Sequence, residues 1–158
     1  MYRKIMVAMD GSPSSKQALN EGLEVARLYG GHLDVVYVID KSALLTLAGG
    51  YDLEALVAAM RRDGAAVLHS AEQAIEDASA AGDTKLIETR RIGEDIAGRL
   101  QRYVLENAID LAVLGTHGRR GIERMLIGSV AERFLRGAIC PVLFIRGEDP
   151  QPASTVIF

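Results

Sequence analysis

Short apolar runs alternate with longer amphipathic stretches along this chain. Four runs rich in Val, Ile and Leu occupy residues 5–9, 33–39, 111–114 and 142–145. Near-continuous runs of this kind are typical of strands that are covered on both faces, as in a parallel sheet. A fifth run, 85–90, alternates apolar and polar residues and predicts a more exposed strand. The pattern therefore predicts five strands.

The stretch between the first two runs has the signals of a helix. Ser12 can cap its start, Pro13 fits its first turn, and Gly30 or Gly31 can end it. Three apolar residues fall on one helical face and can pack on a sheet: Leu19, Leu23 and Ala26. The segment predicts a βαβ unit.

Three further helical stretches follow. One spans about 51–81 and is expected to be interrupted at Gly64. The next begins near Glu94 and Asp95, where negative charge favours a helix N-terminus. The last covers about 129–136, before Pro141 opens the final strand. Strict alternation of strands and helices predicts an α/β fold, a doubly wound parallel sheet of five strands flanked by helices.

Composition narrows the class of protein. With 158 residues, 49% hydrophobic and 25% charged, the chain fits one globular domain. No apolar stretch is long enough to span a bilayer, and the N-terminus lacks the apolar core of a signal peptide. A single cysteine, Cys140, excludes an internal disulfide, and a net charge of −3 gives no general attraction to nucleic acid. We expect a cytoplasmic protein that binds neither membranes nor nucleic acid.

The segment after the fourth strand carries the most candidate chemistry. It starts Gly115-Thr116-His117-Gly118-Arg119 and continues to Gly128-Ser129 at a helix start. Glycines allow the backbone to approach a ligand closely, and free N–H groups at a helix N-terminus attract phosphate. Spacing alone leaves a second interpretation open, a tight loop with arginines exposed to solvent.

Known phosphate-binding patterns are absent. No Gly-Lys pair exists for a P-loop, and the first strand leads into Asp-Gly-Ser-Pro rather than a dinucleotide fingerprint. A phospho-receiver domain would need an acidic pair after strand 1 and a lysine after strand 5, where this chain has Asp10 alone and Arg146.

The chain resembles the universal stress proteins. Nucleotide-binding members carry the motif G-x2-G-x9-G-[ST] after strand 4, and Gly115, Gly118, Gly128 and Ser129 fill it. The likeness extends over nearly the whole chain. It implies the adenine nucleotide alpha-hydrolase-like fold over residues 1–147, followed by a mobile tail, 148–158.

The resemblance also implies a ligand and its contacts. Asp10 would meet the nucleoside, and the backbone of Val38 the adenine. The ribose and phosphates would be lined by Gly115, Gly118, Arg119, Gly128, Ser129 and Val130. The implied ligand is ATP, with ADP and AMP as alternatives and with Mg²⁺ as a companion of the phosphates. From the residues alone, Asp10 is equally an ordinary turn residue before a glycine.

Three functions follow from this resemblance. The first is a regulatory adenine-nucleotide-binding protein of the stress response that is not an enzyme. The others are a slow ATPase or self-phosphorylating enzyme, and an interaction module without nucleotide. The uncharged run 142–145 predicts a homodimer through the last strand, which the resemblance places at a sheet edge.

The remaining reactive side chains are interpreted as structural. His117 is expected to be a loop residue, and the His, Asp and Glu residues around His32 and His69 do not have the spacing of a metal-binding motif. Cys140 is expected to be a small buried hydrophobic residue. No metal site is predicted.

Overall fold

Strands and helices alternate throughout the described residues. The computed structural model describes residues 1–42, 52–90, 93–117 and 127–147. The strands are β1 (Lys4–Ala8), β2 (His32–Ile39), β3 (Ala81–Glu88), β4 (Leu111–Gly115) and β5 (Val142–Ile145). The helices are α1 (Pro13–Tyr29), α2 (Leu53–Asp77), α3 (Ile96–Asn107) and α4 (Ser129–Arg136). The predicted fold class is confirmed.

The five strands form one parallel sheet in the order β3-β2-β1-β4-β5. In β1, Val7 pairs with Val35 of β2 on one side and with Val113 of β4 on the other. The chain proceeds outward from β1 to β3 and then crosses to β4 on the opposite side of β1. The order of strands therefore reverses between β1 and β4, and in open α/β sheets ligands bind outside the carboxyl ends at such a point.

Each face of the sheet packs on its own pair of helices. Alternate residues of β1 point to opposite faces, so Ile5 contributes to the core beneath α1 and α2, whereas Met6 contributes to the core beneath α3 and α4. Leu100 of α3 and Phe134 of α4 are almost fully buried in the second core. Burial on both faces explains why the strand sequences are almost continuously apolar.

The predicted signals at the ends of α1 are confirmed. The Ser12 side chain accepts a hydrogen bond from the Ser15 N–H at 3.2 Å, and Pro13 occupies the first helical position. Gly30 ends the helix in the left-handed conformation, with φ of 60°. These local signals fix the start of α1 directly behind the end of β1.

Helix α2 runs without a break through Gly64, so the predicted interruption is wrong. Gly64 is buried where α2 lies on the sheet, and a Cβ atom there would stand 2.7 Å from Leu86 and 2.8 Å from Tyr37. The glycine permits close packing of the helix on β2 and β3. It costs about 1 kcal/mol of helix propensity, which the neighbouring turns and tertiary contacts offset.

Strand β3 begins four residues before the predicted run of 85–90 and ends two residues before its end. Its first residues, Ala81 to Thr84, are small or polar and carry no strand signal of their own. They pair in register with β2, from His32 with Ala81 to Ile39 with Glu88. Tertiary pairing therefore overrides the weak local propensity of this edge strand.

Within the described ranges, every helix is too short or too polar to span a lipid bilayer. The predicted mobile tail, 148–158, lies outside the described residues.

Candidate functional site

The carboxyl ends of β1, β2 and β4 converge at the point where the strand order reverses. Beyond its last paired residue, β1 continues into Met9 and Asp10, and β4 ends at Gly115. The structure describes six predicted site residues here: Asp10, Val38, Gly115, Gly128, Ser129 and Val130. Gly118 and Arg119 lie outside the described residues.

Asp10 forms the turn that connects β1 to α1. Its Oδ1 accepts the Ser12 N–H at 2.9 Å, and its own N–H donates to the Ser15 hydroxyl at 3.4 Å. Ser12 in turn caps α1, as described above. The turn role that the Asp-Gly sequence suggested is therefore present, and it fixes the carboxyl group of Asp10 at the mouth of the site.

Val38 lies where β2 extends past the end of β1. The Met9 N–H donates to the Val36 carbonyl oxygen at 2.9 Å, so the peptide groups of Val36 face β1. The Thr89 N–H donates to the Ile39 carbonyl oxygen at 3.0 Å, so Ile39 faces β3. Because peptide directions alternate along a strand, the N–H and C=O of Val38 point to the β1 side, beyond the paired part of β1.

The first turn of α1 lies directly against the end of β4. The hydroxyl groups of Ser12 and Ser14 both donate to the His117 carbonyl oxygen, at 3.3 Å for Ser12. At Gly115 a Cβ atom would stand 2.8 Å from the Ser14 carbonyl carbon and 2.9 Å from the Ser15 nitrogen. This close approach of two backbones requires glycine at position 115.

These serines are neighbours of the candidate site that the sequence analysis did not predict. Ser12, Ser14 and Ser15 are all buried although they are polar. The sequence indicated only the capping role of Ser12, because the contact with His117 depends on how β1 and β4 are paired. The run of small polar residues after the first strand was the sequence signal that could have indicated this contact.

The backbone of Gly128, just before α4, lies against the residue that follows β4. The Gly128 N–H donates to the Thr116 carbonyl oxygen at 2.6 Å. The prediction that the Gly128 N–H is free for a ligand is therefore wrong, because this bond closes the base of the loop. The donors that remain at the start of α4 belong to the first turn, Ser129 to Ala131.

Helix α4 begins differently from the other three helices of the described part. Side chains of Ser12, Asp52 and Asp95 cap α1, α2 and α3, whereas α4 starts at Gly128 with no side-chain hydrogen bond. Its backbone N–H groups and the positive end of its dipole lie at the carboxyl end of the sheet. An anion can take the position that a capping side chain would occupy.

An ion pair fixes the position of α4 relative to α3. The Arg133 guanidinium lies 2.5 Å from the Asp95 carboxylate. Although burial acts to raise it, the hydrogen bond from Gly98 and the nearby Arg133 hold the pKa of Asp95 below its usual value. The carboxylate thus stays ionised at neutral pH and holds the two helices together beside the site.

His117 is half-buried, and its Nδ1 lies 2.9 Å from the Thr116 hydroxyl. Its backbone contributes more to the site than its imidazole does, because the carbonyl group joins β4 to α1.

Cys140 packs against the core beneath α3 and α4, and burial raises the pKa of its thiol. The thiol is half-buried rather than fully buried as predicted, and its packing agrees with a hydrophobic role.

Known proteins resemble this chain in sequence and in fold over most of its length. A universal stress protein A homologue from Coxiella burnetii is 32% identical over 152 residues, covering 91% of this chain and 96% of its own. A crystal structure of a universal stress protein family member from Burkholderia pseudomallei is 39% identical with a TM-score of 0.74, covering 91% of this chain and 96% of that one.

A more distant structure resembles the fold. It is the universal stress protein of Archaeoglobus fulgidus in complex with dAMP, 24% identical with a TM-score of 0.65, covering 91% of this chain and 98% of that one. The profile of the Universal stress protein family matches residues 1–146. This chain therefore belongs to the universal stress protein family.

Proposed function

We propose that this protein is a regulatory adenine-nucleotide-binding protein of the cytoplasm that holds ATP at the strand ends. The observation that carries the proposal is the glycine start of α4. Its first-turn N–H groups have no side-chain cap in the described structure and lie at the reversal point of the sheet. The dAMP complex of the Archaeoglobus fulgidus relative supports an adenine nucleotide as the anion.

The roles of the residues follow from their positions. The peptide groups of Val38 offer one donor and one acceptor beyond the end of β1, which suits the edge of an adenine ring. Asp10, at the turn after β1, suits the hydroxyl groups of the ribose. The hydroxyl of Ser129 and the N–H groups of Ser129 and Val130 would bind phosphates at the start of α4.

Gly118 and Arg119 complete the proposed site from the sequence motif. Arg119 would add charge-assisted hydrogen bonds to the phosphates, and Mg²⁺ would accompany them as it does in other nucleotide sites.

The ligand that leaves the freshly purified protein tests the proposal. Denaturing the protein and measuring the released small molecules by mass spectrometry should yield ATP, ADP or AMP in near-stoichiometric amount. A guanine nucleotide, or a release no greater than that from a Gly128→Val variant purified in parallel, would contradict it.

We expect the protein to hold nucleotide far better than it hydrolyses it. Glycine N–H groups, a serine hydroxyl and arginines bind the ground state and the transition state alike, and such uniform binding gives affinity without rate. Hydrolysis also needs a group that orients water and a cation that neutralises developing charge. We therefore expect turnover well below about 1 s⁻¹ in a phosphate-release assay.

His117 is the loop side chain best suited to act as a base, so it provides the control. His117→Ala should leave nucleotide affinity nearly unchanged, because the carbonyl group that Ser12 and Ser14 contact remains. Several turnovers per second in the native protein, lost in His117→Ala, would support the enzyme interpretation instead. Autophosphorylation is detected in the same samples by the mass of the intact chain.

A homodimer through β5 is part of the proposal. β5 is an edge strand whose side chains pack on both cores, Leu143 and Ile145 on one and Val142 and Phe144 on the other. The Pro141 and Ile145 carbonyl oxygens accept hydrogen bonds from the N–H groups of Ala112 in β4 and of Thr116 just after it, so the peptide groups of Val142 and Phe144 face outward. An outward row of donors and acceptors can pair with a second copy.

Light scattering at tens of micromolar should therefore give the mass of a dimer. Val142→Pro removes one outward N–H and keeps an apolar side chain, so we expect it to weaken the dimer while the monomer stays folded. Lysine at Leu143 or Phe144 is a poorer test, because either would place a charge in a core. A native protein that is monomeric at these concentrations would contradict the dimer.

A further inference from the structure

One imidazole and two carboxylates meet at the amino-terminal edge of the sheet, at the end opposite to the nucleotide site. His32 and Asp34 lie two residues apart on β2, so their side chains share one face. The β2–β3 register pairs Asp34 with Asp83. One oxygen of each carboxylate and one ring nitrogen of His32 all lie within 4.8 Å of one another.

The two distances from His32 to the carboxylates are close to those between ligands of a small metal ion. His32 Nε2 lies 3.0 Å from Asp83 Oδ2 and 3.5 Å from Asp34 Oδ1. Two ligand atoms on a tetrahedral ion with bonds of 2.0–2.1 Å stand about 3.3 Å apart. A divalent ion bound between these groups would take the place of the hydrogen bond that joins His32 to Asp83.

Asp34 is held in position by a second residue. The Tyr103 hydroxyl donates to Asp34 Oδ2 at 2.9 Å, while Oδ1 is the oxygen closer to His32. Burial and the nearby Asp34 carboxylate raise the pKa of Tyr103, so its hydroxyl remains a donor at physiological pH. Outer hydrogen bonds of this kind orient metal ligands in known sites.

The charge at the cluster also favours a cation. Asp34 and Asp83 bring two negative charges to one face, and the Lys85 ammonium, which forms an ion pair with Asp83 at 3.9 Å, supplies one positive charge beside them. Lys4, which pairs with His32 from β1, donates to the Asn107 carbonyl oxygen at 3.1 Å. A divalent ion would neutralise both carboxylates at once.

We propose that His32, Asp34 and Asp83 bind one divalent transition-metal ion of the Zn²⁺ class, with Tyr103 positioning Asp34. A nitrogen and oxygen ligand set from histidine and carboxylates suits such an ion. His32 and Asp83 are exposed, so water can complete the coordination. The cluster could not be predicted from the sequence, because Asp83 is 51 residues from His32 and is brought next to it by strand pairing.

Calorimetric titration of Zn²⁺ into the full chain, freed of nucleotide and at pH 7.5, tests the proposal. We expect one ion per chain. Tyr103→Phe should lower the affinity about 10-fold. His32→Ala and Asp83→Asn should lower it further, because each removes a direct ligand.

Two control variants separate this cluster from other zinc-binding side chains. His69 on α2 lies 3.6 Å from Glu72, and this exposed pair has no third ligand among the residues that the structure describes, so His69→Ala should bind Zn²⁺ as the native protein does. Cys140→Ser should also bind normally. Melting temperatures of the ligand-free variants establish that each one folds.

Co²⁺ gives an independent readout, because a bound paramagnetic ion shifts the ring proton signals of His32 in NMR spectra. We expect those signals to shift and the His69 signals to stay in place. No heat at millimolar Zn²⁺, or equal affinity in the native protein and His32→Ala, would overturn the proposal. Neither result would affect nucleotide binding, which uses the other end of the sheet.

Discussion

Replacing Gly128 with valine is expected to abolish adenine-nucleotide binding and to leave the fold intact. Gly128 has φ of −58° and ψ of 153°, a conformation that any residue adopts, so the substitution adds no backbone strain. A side chain at the N-cap position of a helix lies over the N–H groups of its first turn. Valine would cover those donors with methyl groups and exclude phosphate.

Thermal denaturation with and without ATP measures this effect. Ligand at about 100 times its Kd should raise the free energy of unfolding of the native protein by about 2.7 kcal/mol. For a domain of this size the melting temperature would rise by about 5–10 °C. Gly128→Val should show no rise.

Gly128→Ser is a matched variant with a different signature. Its hydroxyl can cap α4 as Ser12 caps α1, so we expect the ligand-free protein to gain about 0.3 kcal/mol of stability, since glycine is itself a tolerated capping residue. The same hydroxyl would compete with phosphate and weaken nucleotide binding. If Gly128→Val binds ATP as tightly as the native protein, the start of α4 is not the phosphate site.

Gly115→Ala is expected to damage stability and binding together. The added methyl group would stand within 3 Å of backbone atoms of Ser14 and Ser15, which cannot rotate away as a side chain can. Overpacking of this kind costs about 1–3 kcal/mol. The displaced α1 would also lose the contacts of Ser12 and Ser14 with the His117 carbonyl group.

Gly98→Ala on α3 is the matched control for this substitution. A Cβ atom at Gly98 would stand 3.4 Å from its nearest neighbour, Asp95 Oδ1, an ordinary contact. We expect this variant to be at least as stable as the native protein in urea denaturation, because alanine favours a helix. If Gly115→Ala unfolds at the same urea concentration as Gly98→Ala, the close approach of α1 to β4 does not constrain the fold.

Much of the fold could be predicted because the buried strands carry a strong local signal. The bounds of β5 were predicted to the residue, and those of β1, β2 and β4 to within one residue at each end. The predicted elements were wrong where tertiary contacts determine the structure more than local sequence does. The first half of β3 is defined by its pairing with β2. The glycine at position 64 is explained by the close packing of α2 on Tyr37 and not by a break in the helix.

The candidate site was predictable in outline for the same reason. Topology places the end of β4, with Thr116 and His117 after it, near the turn that contains Asp10, and the glycine spacing led to the prediction of a ligand there. The hydrogen bond from Gly128 to Thr116 was not predictable, since it depends on the path of the chain between them. The contacts of Ser12 and Ser14 with His117 join residues more than 100 positions apart.

Calorimetric titration of ATP into protein freed of bound nucleotide tests the central claim most directly. The account predicts saturable binding of one ATP per chain, with binding lost in Gly128→Val and GTP bound more weakly because the peptide groups of Val38 suit adenine. The absence of heat for ATP, ADP and AMP, with a melting temperature that none of them changes, would contradict it.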